Sequence, residues 1–183
     1  MSRIPTPQTI DDAPTASRPL LEAVKRQFGV VPNMFRLVSN SPVALEGYLG
    51  LFNSLNKGEL PAATRERIAL AVSEINGCSY CLSAHTYLGK KLAKLDDPEI
   101  TANRNGASND PKADAAVRFA VVLAKARGHV SEAELRALKA AGYSDAQAIE
   151  IVMHVALNTW TNYINEMAQT EIDFPVIKAR TAA

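Results

Sequence analysis

Only two of the 183 residues are cysteine, and both fall in a single Cys-x-x-Cys, Cys78 and Cys81. A secreted disulfide framework spreads its cysteines along the chain, so that class is excluded, and the pair points to redox chemistry or half of a metal site. No apolar run approaches the roughly 18 residues that a membrane span requires. An excess of one charge is missing too. Lys+Arg 20 against Asp+Glu 19 leaves +1, which gives no global footprint for nucleic acid or an anionic lipid surface. The opening MSRIPTPQTIDDAP carries prolines and acids where a secretory signal needs an apolar stretch. A soluble, cytoplasmic protein without nucleic-acid or membrane partners is expected. What is present is ordinary for a globular domain: 47% hydrophobic and 21% charged residues. A chain of this length buries roughly 70% of its unfolded surface and needs no disulfide or structural metal to hold it.

Strand-like alternation is absent, and helical punctuation recurs along the chain. Ser17 precedes a stripe of Leu20, Leu21, Val24 and Phe28 that stops at Gly29. Val30 to Phe35, with Pro32, reads as a connector. Ser41-Pro42 opens a helix that runs to Gly58, and a third starts near Pro61 and ends at Asn76-Gly77. The next begins at about Cys78 and reaches about Leu95. Asp97-Pro98 opens a short element, RNGASND (104–110) is a break, and Asp110-Pro111 starts a helix closed by Gly128. Ser131 with Glu134, and Ser144 with Gln147, have capping-box spacing. The last helix runs from about Asp145 to Gln169. The expected fold is a single all-α bundle of about seven or eight helices (residues 17–172), with a loose N-terminal arm (1–16) and a C-terminal tail (173–183). Similar patterning around 60–76 and 143–158 suggests an internal helical repeat.

The chemistry concentrates in ERIALAVSEINGCSYCLSAH, residues 66–85. If a helix starts at Cys78, both cysteines occupy its first turn, where unpaired N–H groups and the helix dipole favour thiolate. Side chains three apart on a helix are too far apart for a disulfide, but a first turn closes that gap more easily than a helix interior. His85 lies about 40° from Cys81 and about 20° from Cys78 around the helix, so all three share one stripe. An imidazole there can take up or return a thiol proton. An antiparallel return about Gly77 brings Glu66 near His85, where a carboxylate fixes the tautomer. The competing assignment pairs Glu66 with Arg65 or Arg67. Glu74, near the end of the same helix, is the alternative carboxylate and reads as exposed. A zinc site would need Cys78, Cys81 and His85 with Glu66 as a strained fourth ligand.

Glu66, Cys78, Cys81 and His85 form Glu-x11-Cys-x-x-Cys-x3-His, which resembles the signature of alkylhydroperoxidase D-like proteins in the carboxymuconolactone decarboxylase superfamily. VVPNMFRLVSNSP and LNTWTNYINEMA resemble its peroxidase-related branch, and the likeness spans most of residues 30–167. The resemblance implies an all-helical homo-oligomer, a trimer or hexamer, that reduces hydroperoxides with no cofactor and no metal. It implies that Cys81 is the peroxidatic thiolate, Cys78 the resolving thiol, and His85 and Glu66 a proton relay. An external dithiol then restores the pair. The best-known family enzyme has His between its cysteines where Ser79-Tyr80 stands here, so Tyr80 either supplies a hydroxyl or packs. Alternative functions are a general thiol-disulfide oxidoreductase and a decarboxylase-type lyase. Among the remaining residues, His129 reads as a solvent-facing cap and His154, in IVMHVAL, as a satisfied core or interface histidine. Trp160 either packs or lines a substrate pocket.

Overall fold

The protein is built around one helix whose middle is fully enclosed, as seen in a computed structural model that describes residues 2–180. Nine α-helices follow one another among the described residues, with no strands. They are α1 (Arg18–Phe28), α2 (Asn33–Val38), α3 (Pro42–Leu55), α4 (Ala62–Ile75), α5 (Ser79–Lys91), α6 (Asp97–Arg104), α7 (Pro111–Lys125), α8 (Glu132–Ala140) and α9 (Asp145–Ala168). Every residue from Ile68 to Ser73 in α4 is buried, and α5, α6, α7 and α9 pack around it. The stretch 68–72 is apolar on every side of the helix and has to lie inside the bundle, and the small Ala69 and Ala71 let its neighbours approach.

The count exceeds the expected seven or eight because α2 lies in the stretch read as a connector. Pro32 sits at its N-cap with φ −59°, where a missing N–H deprives the helix of nothing. Helix α5 also ends at Lys91, short of the expected Leu95. Its chain turns back so that the Leu95 N–H reaches Gly89 O at 3.0 Å and the leucine packs against Leu70, Leu82 and Ile100. Ser17 makes no side-chain cap bond to α1, and Asp96 rather than Asp97 caps α6. Ser131 with Glu134 and Ser144 with Gln147 both make complete capping boxes.

Two larger cores flank α4. One joins Ile68 and Val72 to Phe119 and Leu123 of α7 and Ile151 and Val155 of α9. The other gathers Leu21 and Val24 of α1, Phe35 and Val38 of α2, Leu45 and Leu49 of α3, and both cysteines. Each fully buried Leu or Ile contributes about 1.5–3 kcal/mol. Both ends of the described segment lie against this body. Arg3 N donates to Ala168 O at 2.6 Å, and Asn40 Nδ2 to Pro5 O at 2.8 Å. Residues 173–180 run over α5, where Ile177 N donates to Ser83 Oγ and Ala179 N to Ser79 Oγ. Met1 of the expected arm and residues 181–183 of the expected tail lie outside the described residues. Among the described residues, no helix is long and apolar enough to cross a membrane.

Candidate active site

The backbone between α4 and α5 places the cysteines. Gly77 adopts φ +69°, a left-handed conformation that suits glycine. Its N–H returns to Glu74 O at 3.1 Å, and the Cys78 N–H returns to Ser73 O at 3.0 Å. Those two bonds are a Schellman closure of α4. Cys78 is at the same time the N-cap of α5, its Sγ accepting from Cys81 N at 3.2 Å. The two helices are thus joined with no spare residue, and Cys81 falls in the first turn of α5.

The sulfurs are 2.7 Å apart, with the Cys78 thiol donating to Cys81 Sγ, and both cysteines are free. Asn165 Nδ2 of α9 approaches Cys81 Sγ at 3.4 Å. Burial works against ionisation of Cys81. The hydrogen bond from Cys78, the charge of His85 and the amides of Asn162 and Asn165 outweigh it and lower its pKa to about 7. The same hydrogen bond, together with burial, pushes Cys78 in the opposite direction. The two thiols, which spacing alone leaves equivalent, are thus pushed apart, Cys81 towards the thiolate and Cys78 away from it.

His85 and Glu66 are brought together, His85 Nδ1 lying 2.9 Å from Glu66 Oε2. Burial lowers the pKa of His85, but Glu66, through its charge and hydrogen bond, and Cys81 more than reverse this and leave it raised. The competing partners of Glu66 are engaged elsewhere: Arg67 pairs with Glu99 at 2.6 Å and Arg65 bonds to Leu55 O at 3.1 Å. Glu74 is not the exposed residue expected. Its side chain pairs with Arg104 at 2.5 Å and receives Arg180 N.

Cys81, His85 and Glu66 line a cavity of about 540 Å³, within the usual range for ligand sites. Phe28, Phe35, Tyr48 and Phe52 form an aromatic wall, with ring centroids 5.7–6.1 Å apart. Cys78 is fully buried and Cys81, 3% exposed, borders the cavity. The Tyr80 hydroxyl is occupied: it accepts from Met34 N at 3.1 Å and donates to Asp173 Oδ1 at 2.9 Å. Its ring meets Phe174, which also lines the cavity. Trp160 packs outside the cavity lining, stacked on Tyr48 with centroids 5.2 Å apart. His154 is buried as expected but not satisfied, since its Nε2 has no partner. Asn162, Asn165 and Tyr48 were given no site role from the sequence. The one signal for the asparagines is their recurrence at 158, 162 and 165 on one face of an apolar helix.

An all-helical bundle that holds a Cys-x-x-Cys at the junction of its central helix pair, open to an apolar cavity, defines the class. Residues 42–121 match the carboxymuconolactone decarboxylase family. A peroxidase-related protein from Ralstonia eutropha JMP134, described as an alkylhydroperoxidase AhpD core, is 27% identical with a TM-score of 0.83, over 94% of this chain and 92% of that one. A peroxidase-related protein from Silicibacter sp. TM1040 is 25% identical with a TM-score of 0.77, over 91% of each chain. The debrominase Bmp8, solved with 2,3,4-tribromopyrrole, is 22% identical with a TM-score of 0.75, over 92% of this chain and 90% of that one, a likeness of fold alone. Comparison with curated protein sequences gives no match. Over residues 42–121 the chain thus resembles the carboxymuconolactone decarboxylase family, and its fold is that of the alkylhydroperoxidase AhpD core.

Proposed function

We propose that the protein is a thiol-dependent peroxidase that reduces organic hydroperoxides. The observation that carries this reading is the polarised pair: a Cys78 thiol donating to a Cys81 sulfur 2.7 Å away, with Cys81 brought to about 7 and facing an apolar cavity. The names of the neighbours at 25% and 27% identity support a peroxidase-type role.

The Cys81 thiolate attacks the terminal oxygen of the hydroperoxide. The O–O bond breaks, Cys81 becomes a sulfenic acid, and the departing alkoxide takes a proton from His85 to leave as an alcohol. Glu66 orients His85 and sustains its charge. The Cys78 thiol then condenses with the sulfenic acid, forming the disulfide and releasing water. An external dithiol returns two electrons by thiol–disulfide exchange. Cys81, the ionisable thiol, is only 3% exposed and borders the cavity, so it is badly placed to attack the disulfide of a folded protein, which favours this reading over a general disulfide reductase. The lyase alternative leaves both thiols without a role. The resemblance further implies a homo-oligomer, and the exposed apolar residues Ile149, Val152, Met153, Tyr163 and Met167 of α9 give one a surface to bury.

Stopped-flow mixing of reduced protein with cumene hydroperoxide tests the assignment. Rapid thiol loss is expected, absent in Cys81→Ser, while Cys78→Ser stops at a sulfenic acid that dimedone traps. Oxidation no faster than that of a free thiol, with insulin disulfides reduced instead, favours the oxidoreductase.

A further inference from the structure

The cavity offers more length and more polarity than peroxide cleavage at Cys81 uses. On α9 its lining includes His154, Leu157, Asn158, Thr161 and Asn165, one stripe at helical spacing. Asn165 marks the reacting end, against Cys81. His154 is eleven residues earlier, about 16 Å along the helix axis. Between them, Asn158 and Thr161 turn back on their own helix, bonding to His154 O and Asn158 O. The His154 ring does not. It is 5% exposed, its Nε2 is buried without a partner, and burial, then the charge of Arg65, lowers its pKa to about 4. At neutral pH it is an uncharged imidazole with hydrogen-bonding capacity unspent.

Arg65 enters the same cavity from α4 and is the only Arg or Lys among its lining residues. Its one side-chain hydrogen bond among the described residues goes to Leu55 O, and it has no carboxylate partner there. The acidic groups around it are committed. Glu66 holds His85, and Glu150 receives the N–H groups of Glu59 and Leu60 at 2.9 and 3.0 Å. A cation and a neutral imidazole, unpaired and facing one apolar chamber, match a carboxylate on an otherwise apolar molecule.

We propose that Arg65 and His154 form a carboxylate-binding subsite, so that the substrate is an apolar carboxylic acid whose acyl chain fills the cavity and whose reactive group reaches Cys81. The identity of that reactive group as a hydroperoxide rests on the peroxidase reading; the subsite does not.

The test compares matched probes on the wild-type protein. Linoleic acid hydroperoxide should consume the Cys81 thiol about tenfold faster than its methyl ester, the equivalent of one charge-assisted hydrogen bond. That ratio should fall towards one in Arg65→Gln, fall partway in His154→Phe, and largely survive in Arg65→Lys. Separately, calorimetry should find dodecanoate binding about tenfold tighter than dodecanol to wild-type and Cys81→Ser protein. Equal rates for acid and ester, with equal binding of dodecanoate and dodecanol to the wild type, overturn the subsite whatever the variants do. Preferential dodecanoate binding without oxidation of Cys81 by any hydroperoxide leaves the subsite standing and removes the peroxidase reading.

Discussion

The proposed peroxidase reaction uses a thiolate at Cys81 together with a protonated His85, and the pKa of Cys81 is lowered while that of His85 is raised. With Cys81 at about 7, thiol loss to peroxide should climb with pH as the thiolate forms, about tenfold per unit below that value. It should fall again at higher pH as His85, held above its ordinary value by Glu66, gives up its proton. Glu66→Gln removes that support, so the falling limb of the pH–rate profile with tert-butyl hydroperoxide should move to lower pH. An unaltered profile takes Glu66 out of the relay. Asn165→Leu removes a donor to Cys81, and the rising limb should shift to higher pH in the same assay. Glu66, Cys78, Cys81 and His85 were legible because helical spacing about one glycine is local. Asn165 was not, because 84 residues of chain separate it from the sulfur it touches and only packing decides which face of α9 meets α5. Periodicity likewise reports that His154 is buried without reporting whether its nitrogens are satisfied.

At the scale of elements, the junction of α4 and α5 matters most. Gly77 has open space where a Cβ would stand, so Gly77→Ala meets no clash and its cost is conformational. A loss of about 1–2 kcal/mol is expected, readable as a lower urea midpoint with unchanged slope. Because Cys78 closes one helix and opens the next, the same change should also raise the Cys81 pKa, measured from thiolate absorbance. Capped and proline-opened helices were readable from the chain because serine, aspartate and proline announce their ends. Helix α2 was not. Its six residues are too few to display a period, and what holds them helical is contact, with Phe35 against Phe28 and Tyr48.

For the whole molecule, ionic hubs and apolar faces set behaviour. Glu99 joins α4, α6 and the loop before α7. Burial opposes its ionisation, but Ser108, Asn103, the Asn109 N–H and Arg67 bring its pKa from 4.5 to about 2. Its stabilising contribution is therefore complete above about pH 4.5 and lost as pH falls towards 2. Urea midpoints across that interval should drop more steeply in the wild type than in Glu99→Gln; parallel curves would show that the hub carries no such linkage. If the chain assembles through α9, light scattering should give a multiple of the chain mass, and Val152→Glu with Tyr163→Glu should reduce it to the single chain.

The segment after α9 bears on how the protein is handled. Asp173 receives the hydroxyl of Tyr80 and the N–H of Asn33, and Phe174 lines the chamber. Trimming the gene at the end of the last helix, a natural choice for a crystallographer wanting tidy boundaries, would therefore unroof the chamber and expose its sulfurs to adventitious oxidants.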